Sequence, residues 1–145
     1  MRLAEFFNMR KLIFGRDAEV CAWAANNIPH VSAFEKAVTI GVSNDNGIIG
    51  AVVFHDYREN DIQMSAASIS KMWLTQSILN TIFRYPFIQL KCTRVTSFAP
   101  KRNASTRKFL IGLGFVEEGV MRRGFGSDDC VIYGMLKNEC RFLKD

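Results

Sequence analysis

The chain has 145 residues, of which 48% are hydrophobic and 23% charged, and its formal net charge is +5. These values are ordinary for a soluble globular protein, and the length predicts one domain over residues 1–145 that needs no disulfide to be stable. No long apolar run opens the chain. We therefore expect neither a signal peptide nor a membrane span, and we predict a cytoplasmic protein.

Cysteine and histidine usage gives no sign of a metal site. The two histidines, His30 and His55, are far apart, and His30 follows Pro29, which favours a loop position. None of the cysteines forms a CxxC pair, so we predict buried free thiols and no metal. The chain contains four of them: Cys21, Cys92, Cys130 and Cys140.

Charge is unevenly spread along the chain. Residues 1–83 carry 7 basic and 8 acidic side chains, a net −1, whereas residues 84–145 carry 12 basic and 6 acidic ones, a net +6. The basic half predicts attraction for an anionic cofactor or an acidic partner, with a solvated basic face as the alternative. No nucleic-acid-binding motif accompanies the charge, so we do not expect nucleic acid as a partner.

The first half of the chain predicts three strands after an opening strand and helix. Residues 12–14 predict a strand and residues 18–25 a helix, with Asp17 as its N-cap and Pro29 beyond its end. The β-rich runs 37–42 and 47–54 flank an Asn-Asp-Asn-Gly turn and predict a hairpin. Residues 62–67 predict the next strand.

The second half alternates helices with strands. Apolar residues recur at helical spacing over residues 71–83, which predicts a helix. A strand over 92–98, a helix over 103–113 and a hairpin of strands at 115–124 and 129–136 follow. The order β-α-β-β-β-α-β-α-β-β predicts an α/β (α+β) fold, with a mixed central sheet of six to seven strands and helices on both faces.

The region around the third helix carries a recognisable spacing. Asn103 is followed by Thr106 three positions on and by Gly114 and Phe115 eleven and twelve positions on, with Glu118-Gly119 after them. This pattern resembles the coenzyme-A-side motif of the GNAT superfamily of N-acetyltransferases, in the style of the branch that acetylates ribosomal-protein N-termini. The small chain and its run from Tyr85 to Val95 also resemble compact phage and prophage acetyltransferases. The resemblance covers nearly the whole chain and implies a GNAT-like fold.

The resemblance also implies acetyl-CoA as co-substrate. In this family the fourth strand holds the acetyl group and the following helix start holds the pyrophosphate, through amides and the helix dipole. The two glycine positions of the family's pyrophosphate motif are filled here by Trp73 and Thr75. The implied cofactor-binding residues are Met64, Ser65, Ala66, Ala67, Ser70, Lys71, Thr75 and Asn103.

For catalysis the family implies direct attack of a primary amine on the thioester in a ternary complex, without a covalent intermediate. Thr106 and Glu118 are the implied catalytic residues, with Thr106 near the thioester sulfur. Two structural alternatives stay open: Asn103 as a helix N-cap, and a Thr106 hydroxyl bonded to a helix carbonyl one turn back. The sequence does not identify the base: Glu118, His55, Asp56 and Tyr57 are candidates by chemical type, and a bound water is a further one. A structural role for Glu118 also stays open.

Two further functions remain alternatives at this point. The filled glycine positions are compatible with a non-catalytic GNAT-fold binding protein, and the basic second half with a GNAT-fold enzyme that modifies nucleic acid. The acceptor amine is open among a protein N-terminus, a lysine, a polyamine and an antibiotic. No membrane partner is expected. A homodimer is a further expectation, through edge pairing or exchange of the apolar segment 132–136.

Overall fold

The computed structural model describes residues 9–29 and 31–143, so the expectation for His30 lies outside the described residues. Within these described residues there are seven strands: β1 (Lys11–Ile13), β2 (Val38–Asn44), β3 (Gly47–His55), β4 (Asp61–Ser68), β5 (Arg94–Pro100), β6 (Val116–Met121) and β7 (Cys130–Leu136). The α-helices are α1 (Asp17–Asn27), α2 (Gln76–Arg84) and α3 (Ala104–Leu113). A π-helical turn covers Tyr85–Gln89, and a short 3-10 helix covers Lys137–Glu139.

The strands form one mixed sheet in the order β1-β2-β3-β4-β5-β7-β6. The β4–β5 pair is parallel, and the pairs β1–β2, β2–β3, β5–β7 and β6–β7 are antiparallel. This confirms the predicted fold class and strand number. None of the helices within residues 9–29 and 31–143 is long and apolar enough to cross a membrane.

Packing divides the chain into two compact units, which are described separately. The first unit comprises residues up to 56 together with 65–82, and the second comprises residues 57–64 together with those from 83 onward. Strand β4 and helix α2 each contribute residues to both. The single domain expected for residues 1–145 stays a prediction.

In the first unit, α1 packs on β2 and β3. Val20 and Ala24 from the helix and Ala51 and Val53 from β3 are all 0% exposed. Asp17 is not the N-cap that the sequence predicts, because Arg16 occupies that position without a side-chain bond. The Asp17 carboxylate instead accepts hydrogen bonds from the Thr39 amide (2.9 Å) and hydroxyl (2.8 Å) on β2. A tertiary contact therefore replaces the local cap.

The β2–β3 hairpin forms where the turn sequence predicts it. Asn44 pairs with Gly47, and Gly47 has φ +115°, a conformation that glycine adopts without steric cost. The Asn44 side chain accepts a hydrogen bond from the Asn46 amide at 2.8 Å, which closes the turn.

Helix α2 begins later than the predicted residue 71. Its first residue is Gln76, and residues 70–75 form a loop. The Thr75 hydroxyl accepts a hydrogen bond from the Ile78 amide at 3.1 Å, as an N-cap does. Within the loop the Ser70 hydroxyl accepts from the Met72 amide at 3.2 Å. Capping chemistry at Thr75 therefore sets the helix start, although the apolar periodicity extends further back.

The second unit is built around a cluster of phenylalanines. The ring centroid of Phe83 lies 6.3 Å from that of Phe87, 6.4 Å from Phe115 and 5.5 Å from Phe142. Such offset and tilted contacts are the favoured aromatic geometries. They tie the end of α2, the π-helical turn and the chain after α3 to one core.

Strand β7 is flanked on both sides, which corrects the predicted mode of dimerisation. It pairs with β5 from Cys130 to Leu136 and with β6 from Cys130 to Gly134. Both rows of its backbone groups are engaged as far as Gly134, so residues 132–134 offer no free sheet edge to another chain. Edge pairing through residues 132–134 is therefore wrong, whereas exchange of the segment 132–136, and a homodimer by another route, stay predictions.

Candidate active site

In the second unit, the parallel pairing of β4 and β5 is short. It runs from Asp61↔Arg94 to Gln63↔Thr96, three residue pairs in all. At the next position the Ser97 hydroxyl, only 1% exposed as a residue, donates to the Met64 carbonyl at 2.7 Å. The Met64 carbonyl thus receives its hydrogen bond from a side chain and not from a strand amide. The β4–β5 pairing therefore ends without leaving this buried carbonyl unpaired.

A charged network lies at the start of the same two strands. Thr96 donates to Asp61 at 2.8 Å and accepts from Arg94 Nε at 3.1 Å. Arg94 Nη2 donates to Glu118 Oε1 at 2.8 Å. The hydrogen bond to Glu118 is the main cause that raises the pKa of Arg94. The network fixes Glu118 on β6 to Arg94 on β5, across β7.

The placement of Glu118 depends on two local features. The pairing of β6 with β7 shifts register between Glu117 and Gly119, so Glu118 lies at a bulge, a feature that redirects a side chain. Beneath it, a Cβ on Gly134 would lie 2.3 Å from Glu118 Oε2 and 2.6 Å from Arg94 Nη2. Glycine at this position of β7 therefore leaves the space that the ion pair occupies.

The start of α3 carries the predicted Asn103–Thr106 pair. Asn103 is the N-cap, and its Oδ1 accepts from the Thr106 amide at 3.1 Å and from the Ser105 hydroxyl at 3.0 Å. Within the described part of the chain, the Thr106 hydroxyl has no recorded hydrogen bond, so the alternative of a bond to a helix carbonyl is not found there. Gly114 ends the helix at φ +107°.

Arg107 anchors this helix start. Its Nε donates to the hydroxyl of Tyr133 at 2.9 Å, and its Nη2 lies 3.2 Å from Glu117 Oε1. The hydrogen bond to Tyr133 is the main cause that raises the pKa of Arg107. Sequence reasoning missed Arg107 and Arg94, because their partners lie 10 to 26 residues away along the chain.

In the first unit, the loop before α2 turns its largest side chain inward. Trp73 is 4% exposed, and a Cβ on Gly50 of β3 would lie 2.1 Å from its Cε3 atom. Arg10 donates a hydrogen bond to the Met72 carbonyl, and Lys71 is exposed. The indole at the first glycine position of the expected motif is thus packed into the core of the unit and does not project from the loop.

The N-terminus of α2 is exposed and free of negative charge. Gln76 and Ser77, the first two helical residues, are exposed, and no acidic residue lies in the first turn. Amides of a first helical turn have no partner inside the helix, and the helix dipole makes this end positive. Together with Lys71, these groups can bind an anion.

His55, at the end of β3, joins two other polar side chains of the first unit. Its Nε2 lies 2.8 Å from the Ser65 hydroxyl on β4, and its Nδ1 lies 2.6 Å from Asp56 Oδ2. The Phe34 ring lies 5.2 Å from the imidazole, centroid to centroid. The structure thus brings His55 and Asp56, two candidate bases, together with Ser65, an expected cofactor-binding residue.

The remaining candidates are placed elsewhere. Tyr57, in the second unit, is 52% exposed and donates from its hydroxyl to the Glu59 carbonyl at 3.2 Å.

Cys92, Cys130 and Cys140 are buried and Cys21 half-buried, and burial raises the pKa of all four thiols. Raised thiol pKa values disfavour the nucleophilic thiolate. Among residues 9–29 and 31–143, no group of three or more His, Cys, Asp or Glu side chains could hold a metal ion.

Comparison with known proteins identifies the fold. No protein-family profile and no curated protein sequence matches the chain. Solved structures do match: a probable acetyltransferase at 22% identity and TM-score 0.62, covering 72% of this chain and 64% of that one. The ribosomal-protein-S5-alanine acetyltransferase of Vibrio fischeri matches at 14% identity and TM-score 0.67, over 93% of this chain and 97% of that one.

A third match is a mutant form of the spermidine/spermine N-acetyltransferase SpeG of Vibrio cholerae. It is 14% identical, with a TM-score of 0.68, over 90% of this chain and 96% of that one. Together these likenesses show that the chain has the fold of the GNAT acetyltransferases, as its sequence motif predicts. At sequence identities of 14% and 22%, these likenesses show the fold alone.

Proposed function

We propose that the protein is an acetyl-CoA-dependent N-acetyltransferase, which transfers the acetyl group to a primary amine by direct attack in a ternary complex. The observation that carries the proposal is the exposed, uncharged start of α2, which follows β4 in a chain with a GNAT fold. In that fold a cofactor with a pyrophosphate needs an anion-binding helix start at this place. Here the amides of Gln76 and Ser77 supply it.

The loop before α2 supports this assignment in spite of its missing glycines. Thr75, at the second glycine position, serves as the N-cap of the helix, and its hydroxyl hydrogen remains a donor for a phosphate oxygen. Trp73, at the first position, is turned into the core against Gly50. Ser70 and Lys71 complete the proposed pyrophosphate site with a hydroxyl and a positive charge.

Residues of β4 and of the α3 start are proposed for the rest of the cofactor. The backbone of residues 64–67 is assigned to the pantetheine and to the developing oxyanion of the acetyl group. The Asn103 carbonyl oxygen is used in the cap, so its side-chain NH2 is the group left for the pantetheine. The Thr106 hydroxyl is assigned to protonation of the leaving thiolate, and it has no recorded protein partner among the described residues.

The chemistry requires two proton movements at the reacting atoms. The amine nitrogen forms a bond to the thioester carbonyl carbon, the carbon–sulfur bond breaks, the nitrogen loses a proton, and the sulfur gains one from Thr106. Thr106 then regains a proton from solvent. The assignment of Glu118 to catalysis stays a prediction. Its ion pair with Arg94 gives Glu118 a structural role that is independent of acetyl transfer.

The test is acetyl transfer, followed by release of the CoA thiol and by the mass of the product. Two amines serve as probes, because proteins of this fold include a ribosomal-protein-S5-alanine acetyltransferase and a spermidine/spermine N-acetyltransferase. They are spermidine and a peptide with an N-terminal alanine. We expect turnover of one of them, and a loss in kcat of about 10- to 100-fold in Thr106→Val.

Thr81→Val is the matched control, because its hydroxyl bonds the Ser77 carbonyl in the middle of α2. We expect it to keep the wild-type rate. Binding of acetyl-CoA without transfer to either amine would favour the non-catalytic alternative, a GNAT-fold binding protein. Equal rates in Thr106→Val and the wild type would remove Thr106 from the mechanism.

A further inference from the structure

Asp56, His55 and Ser65 form a hydrogen-bonded array to which the sequence assigns no joint role. The two contacts are 2.6 Å from Asp56 Oδ2 to Nδ1 and 2.8 Å from Nε2 to Ser65 Oγ. Both are within hydrogen-bond distance, on opposite sides of one imidazole. An array in which a third group orients a base that contacts a hydroxyl is the arrangement that moves protons in nucleophilic catalysis.

The hydrogen-bonding capacity of each group fixes the direction of the array. An ionised carboxylate only accepts, so Nδ1 of a neutral His55 carries the hydrogen and donates it to Asp56. Nε2 is then the bare nitrogen, and it accepts the hydrogen of the Ser65 hydroxyl. In this state the imidazole is ready to take up a proton through Ser65, and the carboxylate stabilises the resulting imidazolium.

The backbone and the surroundings hold the array in place. Asp56 has φ +53°, a left-handed conformation that costs free energy in a residue other than glycine and that marks functional positions more often than others. The His55 side chain is 11% exposed and that of Asp56 72% exposed, so the imidazole is sheltered while the carboxylate is hydrated.

Among the described residues, Asp56 is the charged side chain that contacts the His55 imidazole. Phe34, from the segment before β2, and Ser65, from β4, contact it as uncharged groups, and the neighbours Glu35 and Lys36 are exposed. The hydrogen-bond partners of His55 are therefore Asp56 on one side of the ring and the Ser65 hydroxyl on the other.

We propose that this array is the proton acceptor for the attacking amine, an inference that rests on the proposed function. Ser65 belongs to the β4 run assigned to the acetyl group. As the nitrogen–carbon bond forms, the amine hydrogen passes to Ser65 Oγ while the Ser65 hydrogen passes to His55 Nε2. The carbon–sulfur bond then breaks and the thiolate takes its proton from Thr106. Ser65 is unchanged at the end, His55 returns its proton to solvent, and Thr106 regains one proton from solvent, so the protons balance.

The first test needs no substrate. Long-range ¹H–¹⁵N NMR of the imidazole nitrogens reports which nitrogen carries the hydrogen, and comparison with His55→Gln identifies the His55 signals among the chain's two histidines. We expect a protonated Nδ1 and a bare Nε2 at neutral pH in the wild type, and loss of this preference in Asp56→Ala. A hydrogen on Nε2 in the wild type would overturn the relay.

The second test is the pH profile of kcat/KM between pH 5 and 8, with whichever of the two amines is turned over. Removal of the proton acceptor should change the shape of this profile. We therefore expect the profile of His55→Gln to differ in shape from that of the wild type, with a rate about 100-fold lower at neutral pH.

Controls separate the relay from folding and from the proposed function. Asp45→Asn, in the exposed β2–β3 turn, is the matched carboxylate control and should keep the wild-type pH profile. The affinity of His55→Gln for acetyl-CoA should equal that of the wild type. Equal pH profiles and equal rates in His55→Gln and the wild type would overturn the relay, as would acetyl-CoA binding without acetylation of spermidine or of the alanine peptide. Failure of the wild type to bind acetyl-CoA would overturn the proposed function itself.

Discussion

Replacement of Gly50 by alanine is the sharpest test of how the loop before α2 is packed. The added Cβ would lie 2.1 Å from Cε3 and 2.5 Å from Cδ2 of Trp73. Ordinary contacts begin near 3.4 Å, so the indole must move by about 1.3 Å or leave its site. Trp73 is 4% exposed, so such a movement takes place inside the protein interior, which is densely packed in folded proteins.

The expected cost follows from these contacts. Overpacking of a dense core costs about 1–3 kcal/mol, and complete loss of a buried Trp about 3–5 kcal/mol. We expect Gly50→Ala to lower the free energy of unfolding by about 3 kcal/mol, which is a large part of a typical 5–15 kcal/mol. The melting temperature should fall by about 6–12 °C. Affinity for acetyl-CoA should fall as well, because Trp73 shapes the loop that carries Lys71.

Urea unfolding followed by circular dichroism measures the change, and Gly112→Ala is the control. A Cβ on Gly112, inside α3, would meet nothing within 4 Å, so this variant should gain about 0.5–1 kcal/mol. In the background of Trp73→Leu, Gly50→Ala should cost at least about 1 kcal/mol less than in the wild type. A change in Gly50→Ala within about 0.5 kcal/mol of zero would refute the packing described for Trp73.

Three further predictions concern stability. Thr75→Ala should cost about 1 kcal/mol through loss of the α2 cap while Thr75→Ser restores it, and equal urea midpoints for both would contradict the cap. Glu118→Gln should cost under about 1 kcal/mol in urea, since the side chains of Arg94 and Glu118 are 29% and 35% exposed; a loss above about 2 kcal/mol would show that water screens the pair less than we infer. Burial raises the pKa of the Cys130 thiol in the folded chain. Its contribution to the free energy of unfolding is therefore complete at neutral pH and is lost as pH rises past the ordinary thiol pKa of about 8.5. The urea midpoint should therefore fall between pH 8 and 10, and less so in Cys130→Ala; parallel falls would exclude this thiol.

Elements governed by local chemistry could be predicted from the sequence. The β2–β3 turn and both ends of α3 follow from Asn44, Gly47, Asn103 and Gly114, whose backbone preferences act within a few residues. The start of α2 could not be predicted in the same way. Its apolar periodicity continues back through Trp73, whose burial is instead explained by Gly50, 23 positions earlier on β3.

The candidate site shows the same division. The roles of Asn103 and Thr106 follow from a spacing of three residues, which a helix start converts directly into proximity. Contacts across strands leave no such mark: Arg94 and Glu118 are 24 residues apart, and His55 and Ser65 are 10 apart. The flanked position of β7 was missed for the same reason, because an apolar segment looks alike at the centre and at the edge of a sheet.

The most direct test of the account is isothermal titration of acetyl-CoA into the folded protein. We predict roughly micromolar binding, with weaker binding in both Asn103→Ala and Asn103→Ser. Serine is a good N-cap but lacks the side-chain NH2, so Asn103→Ser removes the proposed ligand contact while it keeps α3 capped. No heat of binding from a folded wild-type protein would contradict the central claim that this chain is an acetyl-CoA-dependent enzyme.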